Sequence, residues 1–487
     1  MSTRRLSPMD TFFLLGDTGS APMHVGALLP FTAPPGGTAK LLSRISDEVR
    51  RGVDIQPPWN LKLSTPAFKQ NPLQSWVRDD DIDLDYHIRR SALPSPGGER
   101  ELGTLLARLH SNPMDLTKPP WELHYIEGLQ RGRFAIYTKV HHALMDGYTG
   151  MRTLVRSLAD DASDLDTPLF CAIPPPHRSR APRSSEAALW GDLVSFARNE
   201  AQSAMGLAQA LGRLALRPGN LRDLVGSMQA PRSILNGRIT RNRRFATQQY
   251  EITRLRRITE ATGATVNDVV LAVCGGGLRA YLAGLDSLPK KSLIAMVPVA
   301  VRAKDDVGGG NSVGGMLASL GTDIDDPRER LEHVMHSTRL AKSQFEGMDQ
   351  RAVLAYSAAL LGPATTQMMS AALGVRSPLP LTFNLLISNV PGPRTPLYFR
   401  GARLEAAYPL SIPTHGLALN ITVESYAETL NFGFIGCRDT LPSLQNLAVD
   451  TGEALRELEK SVRPRRPRTA VKRAGSRSAR TASAAGR

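Results

Sequence analysis

Two adjacent histidines, His141 and His142, precede Asp146 and Gly147 in the run HHALMDG, and here the side chains able to move a proton are concentrated. An imidazole with an unperturbed pKa of ~6.5 suits general acid–base work near neutral pH. The preceding stretch, FAIYTKV at 134–140, sets Phe134, Ile136, Thr138 and Val140 against Ala135, Tyr137 and Lys139, the alternation of a half-buried strand. A helix is expected from about Tyr148 to Leu158. The histidines therefore leave a strand at a strand-to-helix corner, where a rigid scaffold can project a side chain into a cleft. Successive strand residues point to opposite sides, so one histidine faces the interior and the other the cleft. Asp146 is placed to hold the loop by accepting backbone or arginine hydrogen bonds. Gly147 is placed to turn the chain at positive φ or to admit a close backbone approach. Metal binding is the competing chemistry. Neighbouring strand histidines rarely converge on one ion, and no third ligand stands nearby in sequence, so no metal is expected.

The elements that must position this corner read as an α/β pattern in two halves. In the first, 1–180, a strand is expected at 23–31, a helix at 39–51 with Leu41, Leu42, Ile45 and Val49 on one face, and a short helix at 102–109. A Pro/Ser/Arg-rich stretch at 167–185 reads as an exposed linker. A helical pattern follows at 189–216, as a connector or a surface helix, so 181–230 is assigned to linker and connector. The second half, 231–462, carries expected helices at 255–262, 266–282 and 328–345, strands at 292–301, 382–388, 419–424 and 429–436, and a last helix ending near Lys460. The tail, 463–487, has no core-forming residues and reads as disordered.

With 487 residues and 41% hydrophobic content, the chain has material for two cores, and global disorder is excluded. The formal charge of +15 is uneven: nine Lys/Arg and no acid fall between 461 and 487, which leaves +6 on 1–460. Cys171, Cys274 and Cys437 lie more than a hundred residues apart with no CxxC, as suits a reducing compartment and no thiolate zinc cluster. The first residues lack an apolar stretch before a small-residue cleavage site. The longest clean apolar run, 293–301, is far below the ~20 residues of a spanning helix. The expectation from these features is a cytoplasmic protein, soluble or peripheral and not transmembrane.

HHALMDG resembles the active-site signature of the CoA-dependent acyltransferase superfamily, which includes chloramphenicol acetyltransferase and peptide-synthetase condensation domains. Within it, the chain is similar to the bacterial wax ester synthase/acyl-CoA:diacylglycerol acyltransferases from about Leu6 to Leu458. The blocks that carry the resemblance are LSPMDTFFL and PMHVGALLPF near the start, Pro120-Trp121-Glu122, Asn267-Asp268, SNVPGP at 388–393, and GLALN with Ser425-Tyr426. Pro120 departs from the family's usual Pro-Leu-Trp triplet, a change expected to tune packing.

The resemblance implies two chloramphenicol-acetyltransferase-like α/β sandwich domains with a channel between them. It implies acyl transfer from acyl-CoA, as co-substrate with no bound cofactor, to diacylglycerol or a long-chain alcohol. His142 would be the general base, no acyl-enzyme would form, and His141 would support packing. Asn267 is a candidate oxyanion donor, with a helix cap as the other reading of Thr265-Val266-Asn267-Asp268. Asp146 is expected to pair with an arginine. Asn389 and Gly392 are candidates for shaping the channel, although Asn-Val-Pro-Gly-Pro is also a rigid turn that needs no ligand.

Cys274, inside VVLAVCGGGL, reads as a small buried hydrophobe, and 354–361 with Met368 and Met369 as ordinary core. The basic tail suits an anionic membrane surface, non-specific nucleic-acid contact or no role, and without interleaved aromatics nucleic acid is the weaker reading. The alternative of another class is a non-catalytic lipid-binding or droplet protein that keeps the fold.

Overall fold

The computed structural model describes residues 4–34, 36–69, 71, 73–173, 224–300, 313–346, 348 and 350–462. The expected connector helix at 189–216 and the basic tail lie outside the described residues, as does most of the linker.

The chain forms two mixed sheets. The first runs Tyr408–Leu410, His24–Phe31, Phe134–His141, Trp121–Glu127, Ile88–Ala92, antiparallel except for its last pair. The second runs Val313–Ser319, Ile294–Ala300, Leu385–Val390, Leu419–Tyr426, Thr429–Cys437, Arg243–Glu251, with parallel pairing on both sides of Leu385–Val390. Most expected elements are present within a few residues of their expected bounds. Those not foreseen include the Pro8–Gly16 helix and the strands Ile88–Ala92, Trp121–Glu127, Arg243–Glu251, Val313–Ser319 and Tyr408–Leu410.

Each sheet packs its apolar face against helices, as a sandwich must. In the first half the Thr38–Arg51 helix buries Leu41, Leu42 and Ile45 against Phe31, Phe134 and Ile136. In the second, the Val266–Ala283 helix packs on Pro327–Ser343 and Leu444–Val462 over Leu419, Ile421, Phe432 and Phe434. Its three consecutive glycines make that packing possible. A Cβ on Gly275 would collide with the Leu320 carbonyl, one on Gly276 would lie 2.7 Å from the Ala454 Cβ, and one on Gly277 would lie 2.5 Å from Thr451 Oγ1. This helix is long and apolar enough to cross a membrane by length and composition, yet 72% of it is buried in the core.

The halves are not separate beads. The segment 391–410, assigned from sequence to the second half, crosses back to the first. Leu397, Phe399, Ala402 and Leu404 enter the first core, and Tyr408–Leu410 pairs with His24–Phe31 through Tyr408 opposite Leu28 and Leu410 opposite Gly26. A further apolar cluster joins Leu28, Leu102, Leu106 and Tyr137 to Phe245, Leu410 and Ile435. Fully burying such a side chain contributes about 1.5–3 kcal/mol, so separating the halves would be costly.

The same seam corrects the reading of the motif strand. Phe134–His141 is buried along its whole length. One face, with Phe134, Ile136 and Val140, enters the first core, and the other, with Ala135 and Tyr137, enters the seam. The alternation seen in sequence separates two buried faces, one of them more polar. Lys139 on that polar face is fully buried, and its Nζ donates to the carbonyls of Leu109 (3.3 Å) and Asn112 (2.8 Å) while facing Glu122 at 3.5 Å. It satisfies carbonyls at the end of the Glu99–Ser111 helix, where a cation is favoured.

Candidate active site

The motif strand ends between two neighbours, and each fixes one histidine by its backbone. The His141 N–H donates to the Pro120 carbonyl and the His142 N–H to the Met23 carbonyl, both at 2.9 Å. Because Pro120 contributes a carbonyl, its departure from the family triplet leaves this bond intact. The strand pleat then turns the rings apart. His141 is 1% exposed, whereas His142 is only partly covered.

His141 Nδ1 accepts from the Ala143 N–H at 3.1 Å, which leaves the proton on Nε2, 4.0 Å from Asp17 Oδ2. Burial pushes its pKa down to about 4, so the ring is neutral at pH 7. The ring is tied back to the corner by that Ala143 bond.

The His142 ring is stacked on Phe13 with centroids 3.9 Å apart. Burial lowers its pKa, and the carboxylates of Asp146 and Asp10 oppose that shift. Nδ1 is sealed and makes no full hydrogen bond, although the residue's own backbone favours its protonated form. That combination favours a neutral ring with its proton on Nδ1 and an available lone pair on Nε2, the state a general base needs.

Phe13 is delivered by the Pro8–Gly16 helix, whose start is fixed by chemistry local in sequence. Ser7 Oγ accepts from the Asp10 N–H at 3.1 Å, Asp10 Oδ2 accepts from the Ser7 N–H at 3.0 Å, and Pro8 occupies the first turn. At its other end Asp17 Oδ1 accepts from the Met23 N–H at 3.0 Å, and Lys69 Nζ donates to Asp17 Oδ2 at 2.8 Å. Asp17 thereby ties together the helix that carries Phe13, the carbonyl that holds His142 and the ring of His141. Sequence reasoning quoted LSPMDTFFL and PMHVG as blocks and gave no role to Phe13, Asp17, Met23 or Lys69. The available signal was that LSPMDTFFL stands shortly before the expected strand at 23–31, which pairs with the motif strand.

Of the other sequence candidates, Asp146 caps the Gly147–Val155 helix. Its Oδ1 accepts from the Thr149 N–H at 2.8 Å and its Oδ2 from the Thr149 hydroxyl at 2.9 Å, where an arginine partner was expected. A short hydroxyl already inside the first turn satisfies the carboxylate. Gly147 neither takes positive φ nor approaches backbone: it is the first helical residue, and a Cβ there would meet nothing within 4 Å. Asn267 is not the cap. Thr265 and Asp268 form a reciprocal capping box, and the half-buried Asn267 amide makes no hydrogen bond among the described residues. Asn389 is exposed at the end of its strand. A Cβ on Gly392 would collide with the Ser425 carbonyl, and the Gly392 N–H donates to Ser425 Oγ at 3.0 Å, so this turn needs glycine for packing.

Cys274 is fully buried with its thiol pushed up to about 12, as a core residue. Tyr356 and Leu360 are core, while Met369 is exposed. A cavity of about 350 Å3 lined by Arg232, Asn236, Arg238 and Gln367, and an open acidic hollow lined by Asp323, Asp325 and Glu457, belong to the second half and include neither motif histidine.

The two mixed α/β halves are matched in known proteins. Residues 6–270 match the wax ester synthase/diacylglycerol acyltransferase catalytic domain, and residues 309–459 match the WS/DGAT C-terminal domain. The chain belongs to this family. A Mycobacterium tuberculosis (strain H37Rv) WS/DGAT relative, described as a putative diacylglycerol O-acyltransferase, is 52% identical over 94% of this chain and 97% of its own length. The O-acyltransferase WSD of Acinetobacter baylyi is 40% identical over 94% of this chain and 97% of its own. Among solved structures, the wax ester synthase/diacylglycerol acyltransferase from Marinobacter aquaeolei VT8 superposes with a TM-score of 0.75 at 37% identity, covering 94% of this chain and 99% of that one. The first condensation domain of the calcium-dependent antibiotic synthetase shares the WS/DGAT fold, with a TM-score of 0.58 at 18% identity, covering 95% and 96%.

Proposed function

We propose that this WS/DGAT protein transfers a long-chain acyl group from acyl-CoA to the free hydroxyl of diacylglycerol, giving triacylglycerol, and to long-chain alcohols, giving wax esters. The observation that carries the reading is the state of His142: partly covered, neutral, stacked on Phe13 and left with Nε2 as its working nitrogen. Nε2 takes the acceptor's hydroxyl proton as the oxygen attacks the thioester carbonyl. The tetrahedral oxyanion collapses, the C–S bond breaks, and the imidazolium returns the proton to the CoA thiolate. One base serves both steps, and no acyl-enzyme is formed.

Asn267 is our candidate for the oxyanion donor, because its amide is not consumed by the helix cap beside it. Asp146 and His141 hold the corner. The mildly basic body and basic tail support a place at the inner face of the membrane or on lipid droplets. No observation favours the non-catalytic alternative.

The test offers purified protein a long-chain acyl-CoA with diacylglycerol and hexadecanol in parallel, resolving esters by mass spectrometry and counting free CoA. Ester with matching CoA release is expected, falling at least about a thousandfold in a folded His142→Ala variant. Undiminished turnover in that variant would remove the proposed base.

A further inference from the structure

Four large apolar side chains are exposed around the helix that carries Phe13. Phe12 (46% exposed) and Leu15 (51%) lie three apart on its outer face, and Phe68 (56%) and Leu73 (84%) stand on the hairpin loop between Leu61–Leu63 and Ser75–Arg78. Two ties hold the helix and the hairpin side by side. Lys69 donates to both the carbonyl and the carboxylate of Asp17 at the end of the helix. The short strand Arg4–Arg5, just before the helix, pairs with Ser75 and Trp76 of the hairpin. The surface is continuous with the catalytic centre, since Phe12 meets Phe13 edge-on at 5.6 Å and Phe13 stacks on His142.

Its unpaired exposed charges are of one sign. Arg4 and Arg5 are exposed and make no ion pair among the described residues, while Asp17 is paired with Lys69 and Asp10 is buried in its capping box. Scattered single apolar residues need no explanation, but a grouped set with flanking unpaired cations marks an interaction site.

We infer that this surface, Phe12, Leu15, Phe68 and Leu73 with Arg4 and Arg5, docks on an anionic phospholipid membrane. Apolar side chains enter the acyl boundary, the arginines meet lipid phosphates, and the Phe13–His142 end of the molecule is held against the lipid phase. A lipid acceptor dissolved in that membrane then reaches the base without crossing water. The inference rests on the proposed acyltransferase reading for its purpose, though not for the docking itself.

The experiment is flotation of full-length protein with vesicles of phosphatidylcholine alone or with added phosphatidylglycerol, together with ester formation from octanoyl-CoA. The acceptor is either diacylglycerol in the vesicles or hexanol in solution. Phe68→Ser with Leu73→Ser should lower vesicle partitioning about tenfold or more. Turnover of vesicle diacylglycerol should fall with it, while turnover of dissolved hexanol is retained. Arg4→Ser with Arg5→Ser should reduce the preference for anionic vesicles by about fivefold per cation. The basic tail is common to all these proteins, so these differences belong to the surface. Unchanged partitioning in both double variants would overturn the inference. Partitioning that falls as stated while no protein makes ester from either acceptor would sustain the docking surface and overturn the acyltransferase reading.

Discussion

Lowering the pH should destabilise the fold through His141, by an amount that follows from its burial. The ring's pKa is about 4 in the folded chain against 6.5 unfolded, because burial removes the water that would solvate its charge. Between those values the unfolded chain binds more protons, so stability falls as pH falls. Above 6.5 nothing is lost, and below about 4 the loss levels off. Linkage gives about 2 kcal/mol lost at pH 5 and about 3 kcal/mol at pH 4 from this residue alone. The comparison is His141→Asn, whose Oδ1 can still accept from the Ala143 N–H and which does not titrate. Urea unfolding followed by tryptophan fluorescence is well placed, since Trp59, Trp76 and Trp121 are buried in the first half. Wild type should lose about 2 kcal/mol more than the variant between pH 7.5 and pH 5. The buried His24 and His110, also shifted down, are common to both proteins and cancel. Equal losses would refute the claim that His141 is sealed and neutral.

The neighbouring groups should act on the rate in opposite directions. Phe13→Ala admits water to His142, moving the acid limb of kcat/KM toward higher pH and lowering kcat about 2- to 10-fold for the lost stack. Asp146→Ala removes a carboxylate that raises the His142 pKa, so the limb moves to lower pH, and the lost cap costs about 1 kcal/mol by thermal melting. A pH–rate series on the three proteins reads both. Asn267→Ala should lower turnover with acyl-CoA affinity and melting temperature nearly unchanged, because Thr265 and Asp268 keep the helix start. A fall in melting temperature alone would assign that amide to structure. Gly392→Ala should destabilise by roughly 1–3 kcal/mol in urea, since its methyl meets the Ser425 carbonyl.

Sequence alone placed the motif histidines at a strand-to-helix corner, separated their directions and ordered most helices and the longer inner strands, because those features follow from periods of two and 3.6 residues and from local turn chemistry. It also made Cys274 a core residue, since an unbroken apolar helix has no face on which to expose a thiol. The failures share one cause. Phe134–His141 looked half-exposed because its second face is covered by Phe245, Leu410 and Ile435, more than a hundred residues away. Tyr408–Leu410 is three residues long and becomes a strand by pairing with His24–Phe31. Asp146 takes the backbone partner and not the arginine, and Gly147 needs neither positive φ nor a close backbone approach, because the helix start needs only an N-cap. Above all, the ring that covers His142 and the carboxylate that ties its support together arrive from Phe13 and Asp17, at the far end of the first half. Periodicity reports which way a residue points from its own element. Which residues meet it there, and therefore how dry and how basic His142 is, was decided by tertiary packing.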